Sequence, residues 1–344
     1  MKKKYALIFF IMSLLALSVL MGAYREDVAV IRLVDADVSI EFRDAPVEAT
    51  DTLVASEIHA RKINAPYKQK IRLVSDMVAH GCGYRAALLY CFPMLKDAVE
   101  EFVQKSYVEA IDAQIFFHPD ADEIFEVIDE RNGHKVNESR LYRDIFYGLR
   151  SAREITVTAR RLPVFPLVHA QSLKEETYLR ARYCTDYSAS SPARKHNINL
   201  ALSKINGTVL EKDEQFSFNA TVGRRTEANG FLPAKIIVGG KYEDGYGGGV
   251  CQVSTTLYNA ALLSGVTVTA VQRHSLKVAY ELPSFDAMVN GSYSDLRFLN
   301  DSKGRIYLKA YGDGKQVCVE VYGKRLNCEI KRRSVVIQIG RAHV

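Results

Sequence analysis

Hydrophobic and polar positions change period several times along the chain, and each change predicts an element. Residues 5–24 form an uncharged, largely apolar run directly after Lys2, Lys3 and Lys4. That length suits a bilayer-spanning helix with its lysine end in the cytoplasm and the remaining chain outside. A cleavable export signal, giving a secreted protein, is the competing reading, although Leu20 and Met21 stand where a cleavage site wants small residues. Residues 27–42 alternate apolar and polar side chains with many β-branched types, which predicts one or two strands. "ATDTLVASEIHARKI" predicts a helix capped by Thr50 or Asp51. Helical periodicity is clearer in "KQKIRLVSDMVAHG" and "YRAALLYCFPMLKDAVEEFVQKSY", with Pro93 breaking the second. "AQIFFHP" reads as a strand. "FEVIDERNGHKVNESRLYRDIFYGLRSA" reads as a strand, a turn at Asn132–Gly133 and a helix capped by Asn137. "EITVTARRLPVFPLV" is a strand ended by Pro163 and Pro166.

A stretch rich in Ser, Thr and Asp, residues 183–197, marks a boundary. Beyond it, "ARKHNINLALSKING" predicts a helix closed by Gly207, and "TVLEKDEQFSFN" and "AKIIVGGKY" predict strands. Gly247, Gly248 and Gly249 then lead into the helix "CQVSTTLYNAALLSG". "TVTAVQRHSLKVAY" predicts a strand, or two joined near His274. A β meander follows, with turns at Asn290–Gly291, Lys303–Gly304 and Asp313–Gly314. The fold class predicted is α+β: a membrane helix (1–24), a mixed α+β domain (27–175), and a second α+β domain (183–323). In the second, a helix carrying Cys251 packs on an antiparallel sheet. A truncated β segment (324–338) ends the chain, and "IGRAHV" (339–344) reads as translated sequencing-adapter DNA.

Composition narrows the function classes. Of the formal net charge of +6, three units belong to Lys2, Lys3 and Lys4, which leaves +3 for the rest. That is too little for a nucleic-acid-binding surface, and no basic stripe is interleaved with aromatics. The six cysteines follow no zinc spacing, so neither a metal nor a cofactor is expected. Outside the cytoplasm disulfides are permitted. Cys318 and Cys328 flank a stretch that could turn at Gly323–Lys324, and so could pair; Cys184 and Cys251 have no obvious partner.

The Gly run raises the chemical question. A cysteine in the first turn of a helix sits among unpaired N–H groups and a partial positive charge, which favours its thiolate. Those N–H groups could also receive an oxyanion. Downstream, His274 offers a base on a predicted strand and Asp286 an orienting acid at the start of the next, with Asp295 as a second candidate acid. Gln252 or Ser254 could add a side-chain donor. The order Cys–His–Asp matches transglutaminase-like and papain-like folds. The alternative is structural: Cys251 as core, the glycines as packing and His274 as a hydrogen-bonded core residue. The Gly run lacks a P-loop lysine, which argues against a nucleotide site.

At these motifs, "RKHNINLALSKINGTVL", "FSFNATVG", "NGFLPAKIIVGG", "GGGVCQVSTTLYNAALLSG", "RHSLKVAY" and "DAMVNGSYSDLRFLND", the chain resembles the VanW-like family over residues 183–322. That family is named for an accessory gene of vancomycin-resistance clusters in Gram-positive bacteria. Residues 60–170, through "VIDERNGHKVNESRLYRDI", resemble the peptidoglycan-binding domain that commonly precedes it. The resemblance implies a cell-envelope location, peptidoglycan or its precursors as partner, and a link to glycopeptide resistance, but no reaction. It directs attention to Cys251, His274 and Asp286 as catalytic candidates. Gly247, Gly248, Gly249, Gln252, Ser254, Thr255 and Arg273 become candidates for binding. Three departures stand out: Cys184 in place of a serine, Gln272 in place of an acid, and Phe285 in place of a glycine before Asp286. Three readings follow: an amidase, peptidase or acyltransferase using Cys251; a binding module without catalysis; and an envelope scaffold.

Overall fold

The computed structural model describes residues 28–44, 64–238, 241–291 and 293–333. The expected membrane segment, the helix expected around Thr50 and the adapter-like tail lie outside the described residues. Among the described residues no helix is long and apolar enough to cross a membrane. The architecture is mixed α+β. It forms two compact units, one holding the chain to Ile111 with Arg131–Pro166, the other Asp112–Glu130 with Leu167 onward.

In the first unit, β1 (Val30–Asp35) and β2 (Val38–Arg43) pair as an antiparallel hairpin. Alternation puts Ile31 and Leu33 on one face, and both are fully buried. α1 (Tyr67–Ala79), α2 (Tyr84–Cys91) and α3 (Leu95–Lys105) follow, with Pro93 in the break between α2 and α3. The chain next contributes β3 (Gln114–Phe117) and β4 (Phe125–Ile128) to the second unit. β5 (Gly133–Val136), α4 (Glu138–Ser151), β6 (Glu154–Thr158) and β7 (Arg161–Val164) complete the first. Asn137 caps α4 as its sequence position predicts, accepting from the Arg140 amide at 3.1 Å. Here β6 lies parallel to β1, and Val74, Leu88, Phe92, Phe102 and Ile145 fill the core between helices and sheet.

The second unit continues through α5 (Ala170–Lys174), β8 (Tyr178–Asp186), α6 (Pro192–Ile205), β9 (Thr208–Leu210), β10 (Gln215–Ser217) and α7 (Phe218–Val222). The hairpin β11 (Pro233–Val238) and β12 (Lys241–Tyr246) precedes α8 (Val250–Leu263) and β13 (Thr267–Ala270). β14 (Arg297–Leu299), β15 (Ile306–Gly312) and β16 (Gln316–Gly323) close it. The main sheet is antiparallel with strand order β8-β16-β15-β9. Alternation along β15 and β16 sends Leu308, Ala310, Val317, Val319 and Val321 toward α6 and α8, where they share one core. The opposite positions Tyr307 and Tyr322 meet Phe125 of β4, with ring centroids 5.0 and 5.4 Å apart. Both faces of the sheet are therefore covered, which explains why seven of the eight residues of β16 are buried.

Two expectations need correction. The last strands are not one meander, because β14 leaves the main sheet to pair with β10 and β13. Cys318 does not pair with Cys328, which is exposed and free. It is bonded to Cys184, its direct partner in the β8–β16 register. Gly323 ends β16 and turns no hairpin there. The bridge spans a sequence separation of 134 residues, a long loop to constrain in the unfolded chain. Cys184→Ser is expected to lower stability by about 2–5 kcal/mol, and Cys328→Ser to leave it unchanged. Urea unfolding of the two variants checks both.

Candidate functional site

α8 is buried on nearly every side, yet it carries Gln252, Ser254, Thr255, Thr256 and Asn259. Buried polar groups need partners, and here the partners organise the site. Ser254 Oγ donates to the Ala287 carbonyl at 2.6 Å, Thr255 Oγ1 accepts from the Ala287 amide at 3.0 Å, and Asn259 Nδ2 donates to the Phe285 carbonyl at 2.9 Å. The residues on either side of Asp286 are thus tied to the helix that carries Cys251. Phe285, where the family pattern has glycine, contributes its carbonyl to this clamp, and its ring faces the Arg332 guanidinium at 4.6 Å. On the other flank, Gln252 Nε2 donates to Thr185 Oγ1 (3.0 Å) and to the Asp186 carbonyl (2.8 Å).

The glycines set where the helix begins. Gly249 has φ +110°, and a Cβ there would lie 2.9 Å from Arg194 Cγ and 3.0 Å from Ile198 Cγ1. A Cβ on Gly248 would meet the backbone of Ala234 and Lys235 at 2.7 Å. Only glycine fits between α6 and β11. All three glycines of the run are buried, so the space their missing side chains leave is filled by protein.

Cys251, partly exposed, occupies the first turn of α8. Its Sγ donates to the Val289 carbonyl at 3.3 Å. The amides of Val250 and Gln252 are engaged by the Gly247 and Gly249 carbonyls, which leaves the Cys251 amide as the first-turn donor beside the sulfur. His274 and Asp286 are not on strands: β13 stops at Ala270, and a single Gln272–Met288 bridge brings the two loops together. Asp286 Oδ2 accepts from both the backbone amide (2.7 Å) and Nδ1 (2.8 Å) of His274. This fixes the neutral ring with its proton on Nδ1 and leaves Nε2 as acceptor. Cys251 also lies close enough to interact with the imidazole. Burial disfavours the imidazolium, but the hydrogen bonds and charges of Cys251 and then Asp286 outweigh it, so the His274 pKa is raised.

The remaining candidates fall elsewhere. Asp295 accepts from Ser217 Oγ, the Asn219 amide and Arg297 Nε, and so anchors the start of α7. Arg273 donates to the Asp286 carbonyl and, at 2.9 Å, to Tyr258 Oη, bracing the acid from behind. The hydrogen-bonding groups of Gln252, Ser254 and Thr255 are engaged within the protein. No cluster of His, Cys, Asp and Glu suited to a metal occurs among the described residues.

Three further side chains at the site are absent from the sequence candidates, although Arg194 and Tyr280 fall within the motifs "RKHNINLALSKINGTVL" and "RHSLKVAY". Arg225 is desolvated, which lowers its pKa against the opposing charges of Cys251 and Asp295. Burial raises the Tyr280 hydroxyl far above its ordinary range, and the charge of Cys251 pushes the same way, so the phenol stays protonated. Arg194 lies over the Tyr280 ring at 6.0 Å and donates to Gln252 Oε1 at 2.8 Å. A phenol and two guanidinium groups are common residue types, and only the fold brings Arg225 and Tyr280 near the sulfur and Arg194 onto Tyr280 and Gln252.

Comparison with known protein families identifies this region. Residues 193–322 match the family described as VanW like protein. The chain is 31% identical over 228 residues to the uncharacterised protein YoaR of Bacillus subtilis, an alignment covering 65% of this chain and 72% of that protein. It is 24% identical over 134 residues to the vancomycin B-type resistance protein VanW of Enterococcus faecalis, covering 38% of this chain and 49% of that protein. No solved structure matches the chain.

Proposed function

The chain belongs to the VanW-like family, and from that premise we propose that it acts at the cell envelope, using Cys251 for acyl transfer or hydrolysis at an amide of peptidoglycan stem peptides. The observation that carries the chemical half is the Asp286 carboxylate on Nδ1 of His274, with Cys251 interacting with the same imidazole. In the first step His274 takes the thiol proton, the sulfur attacks the carbonyl carbon, and negative charge gathers on its oxygen near the Cys251 amide. The C–N bond breaks as His274 returns that proton to the leaving amine. Water or a second amine then attacks the thioester, giving its proton to His274; the C–S bond breaks and His274 returns that proton to the sulfur, restoring the thiol. Asp286 stays ionised throughout and orients the ring.

Two observations support the envelope half. They are the apolar run at residues 5–24 behind three lysines, and the name of the E. faecalis relative, which links that protein to vancomycin resistance. In this reading the first unit holds wall polymer near the membrane, as the resemblance of residues 60–170 implies.

A second reading, a binding module, is favoured by one contact. The sulfur donates to the Val289 carbonyl, as a structural thiol would. Incubating the full chain with muropeptides decides between them. New products from wild type, and none from Cys251→Ala, are expected. Identical product profiles from the two would overturn the catalytic reading.

A further inference from the structure

Arg225 and Arg194 flank the entrance to α8. The stem of Arg225 fills the space over Gly247, where an added Cβ would stand 2.6 Å from its Cβ, and the stem of Arg194 fills the space over Gly249. The Gly run therefore passes between two arginines just before it delivers Cys251. Both heads are held by neutral groups. Arg225 Nη2 donates to Asn219 Oδ1 at 2.7 Å, and Asn219 is itself fixed by the carbonyls of Asn290 and Ser294 at 2.8 Å each. Arg194 donates to Ser190 Oγ (3.1 Å) and Gln252 Oε1 (2.8 Å), and Gln252 is fixed by Thr185 and Asp186.

Arg225 is desolvated, and such a guanidinium group ordinarily sits against a carboxylate; Arg194 is half-buried. Asp295 is the carboxylate that interacts with Arg225, yet it is committed to Arg297 at 2.8 Å, Ser217 and the Asn219 amide. Asp286 is committed to His274. Neither arginine makes an ion pair with an acid among the described residues. Two cations, preorganised by neutral acceptors at the glycine run that delivers Cys251, are complementary to an anion that arrives with the substrate.

We infer that the acyl donor is an anion whose carboxylate, carried close to the reacting carbonyl, is received between Arg225 and Arg194. This rests on Cys251 being the nucleophile, and it adds the substrate's charge. A peptide attacked near its free C-terminus has that chemistry; the same bond inside a neutral chain, or next to an amidated end, does not.

The test compares two reagents that differ in the required charge. Iodoacetate and iodoacetamide are applied to the full chain, and labelling at Cys251 is followed by peptide mass spectrometry. The rate ratio of the two reagents at Cys251 is compared with the ratio at the same residue in the urea-unfolded chain, which cancels their intrinsic difference. The folded ratio is expected to exceed the unfolded one by about tenfold. It should fall toward the unfolded value in Arg225→Gln and Arg194→Gln, whose circular dichroism checks folding. An N-acetyl dipeptide with a free carboxylate should also slow iodoacetamide labelling, and its C-terminal amide should not. A folded ratio equal to the unfolded one, with equal effects of acid and amide, overturns the anion inference while leaving a reactive Cys251 intact. Failure of both reagents to label the folded chain overturns the nucleophile and the inference with it.

Discussion

Asp286→Asn is expected to lower Cys251-dependent turnover by about 10²–10⁴-fold, with little change in substrate KM. Asp286 Oδ2 holds both the backbone amide and Nδ1 of His274. Asparagine keeps the shape and loses the charge. In one orientation its amide N–H faces Nδ1 and forces the proton to Nε2, where the ring can no longer accept from the thiol. In the other it still accepts from Nδ1 but cannot stabilise the imidazolium formed during attack. The pH profile separates this from a folding defect. Asp286 is one of the groups that raise the His274 pKa above 6.5, so its neutralisation lowers that pKa. The acidic limb of the rate profile, where the imidazole becomes protonated and can no longer take the thiol proton, should move to lower pH. The linkage to stability has the same sign. A raised folded-state pKa stabilises the fold fully below the unfolded value near 6.5, and the contribution disappears as pH rises through the folded value. Wild type should lose that increment on the alkaline side, and Asp286→Asn should show less of it. A pH–rate profile unmoved by the substitution would remove Asp286 from the relay.

Gly249→Ala is expected to cost about 2–4 kcal/mol, the sum of a positive-φ penalty and overpacking. The added methyl would meet Arg194 Cγ, Ile198 Cγ1 and the Arg194 carbonyl, all within 3.2 Å, and α6 cannot retreat without opening the core it shares with α8. Gly291→Ala is the control, since nothing lies within 4 Å of a Cβ there, and it should stay near neutral. Urea midpoints measure both. If the Gly run were a loose loop shaped only for a ligand, the two substitutions would behave alike.

Much of the chain was legible because local rules decided it. Pro93 splits a helical pattern since no interior helix position tolerates it, and Asn137 caps because its side chain satisfies a first-turn amide. The helix after the glycines starts at Val250, one residue before Cys251, for the same local reasons. Other features escaped a one-dimensional reading. The disulfide of Cys184 and Cys318 depends on β8 lying beside β16, a pairing of strands far apart in sequence. "TVTAVQRHSLKVAY" looked like strand because its residues favour strands, yet most of it is loop. What orders that loop is hydrogen bonding around the Asp286 carboxylate and α8, not a ladder.

The same division applies to the site. The amino-acid sequence alone determined which residues could do chemistry, a cysteine at a helix start with a histidine and an aspartate after it, because helix starts and residue order are local properties. Only the tertiary structure decided that Asp286 rather than Asp295 faces His274, since that depends on which carboxylate the clamp from Ser254, Thr255 and Asn259 holds against the ring. It also decided that Gln252, Ser254 and Thr255 serve the scaffold, because a polar group on a buried helix must take the nearest partner. And it alone brought Arg225 and Tyr280 to the sulfur and Arg194 to the start of its helix, since charge and burial at a point in space are sums over elements that the chain visits at different times.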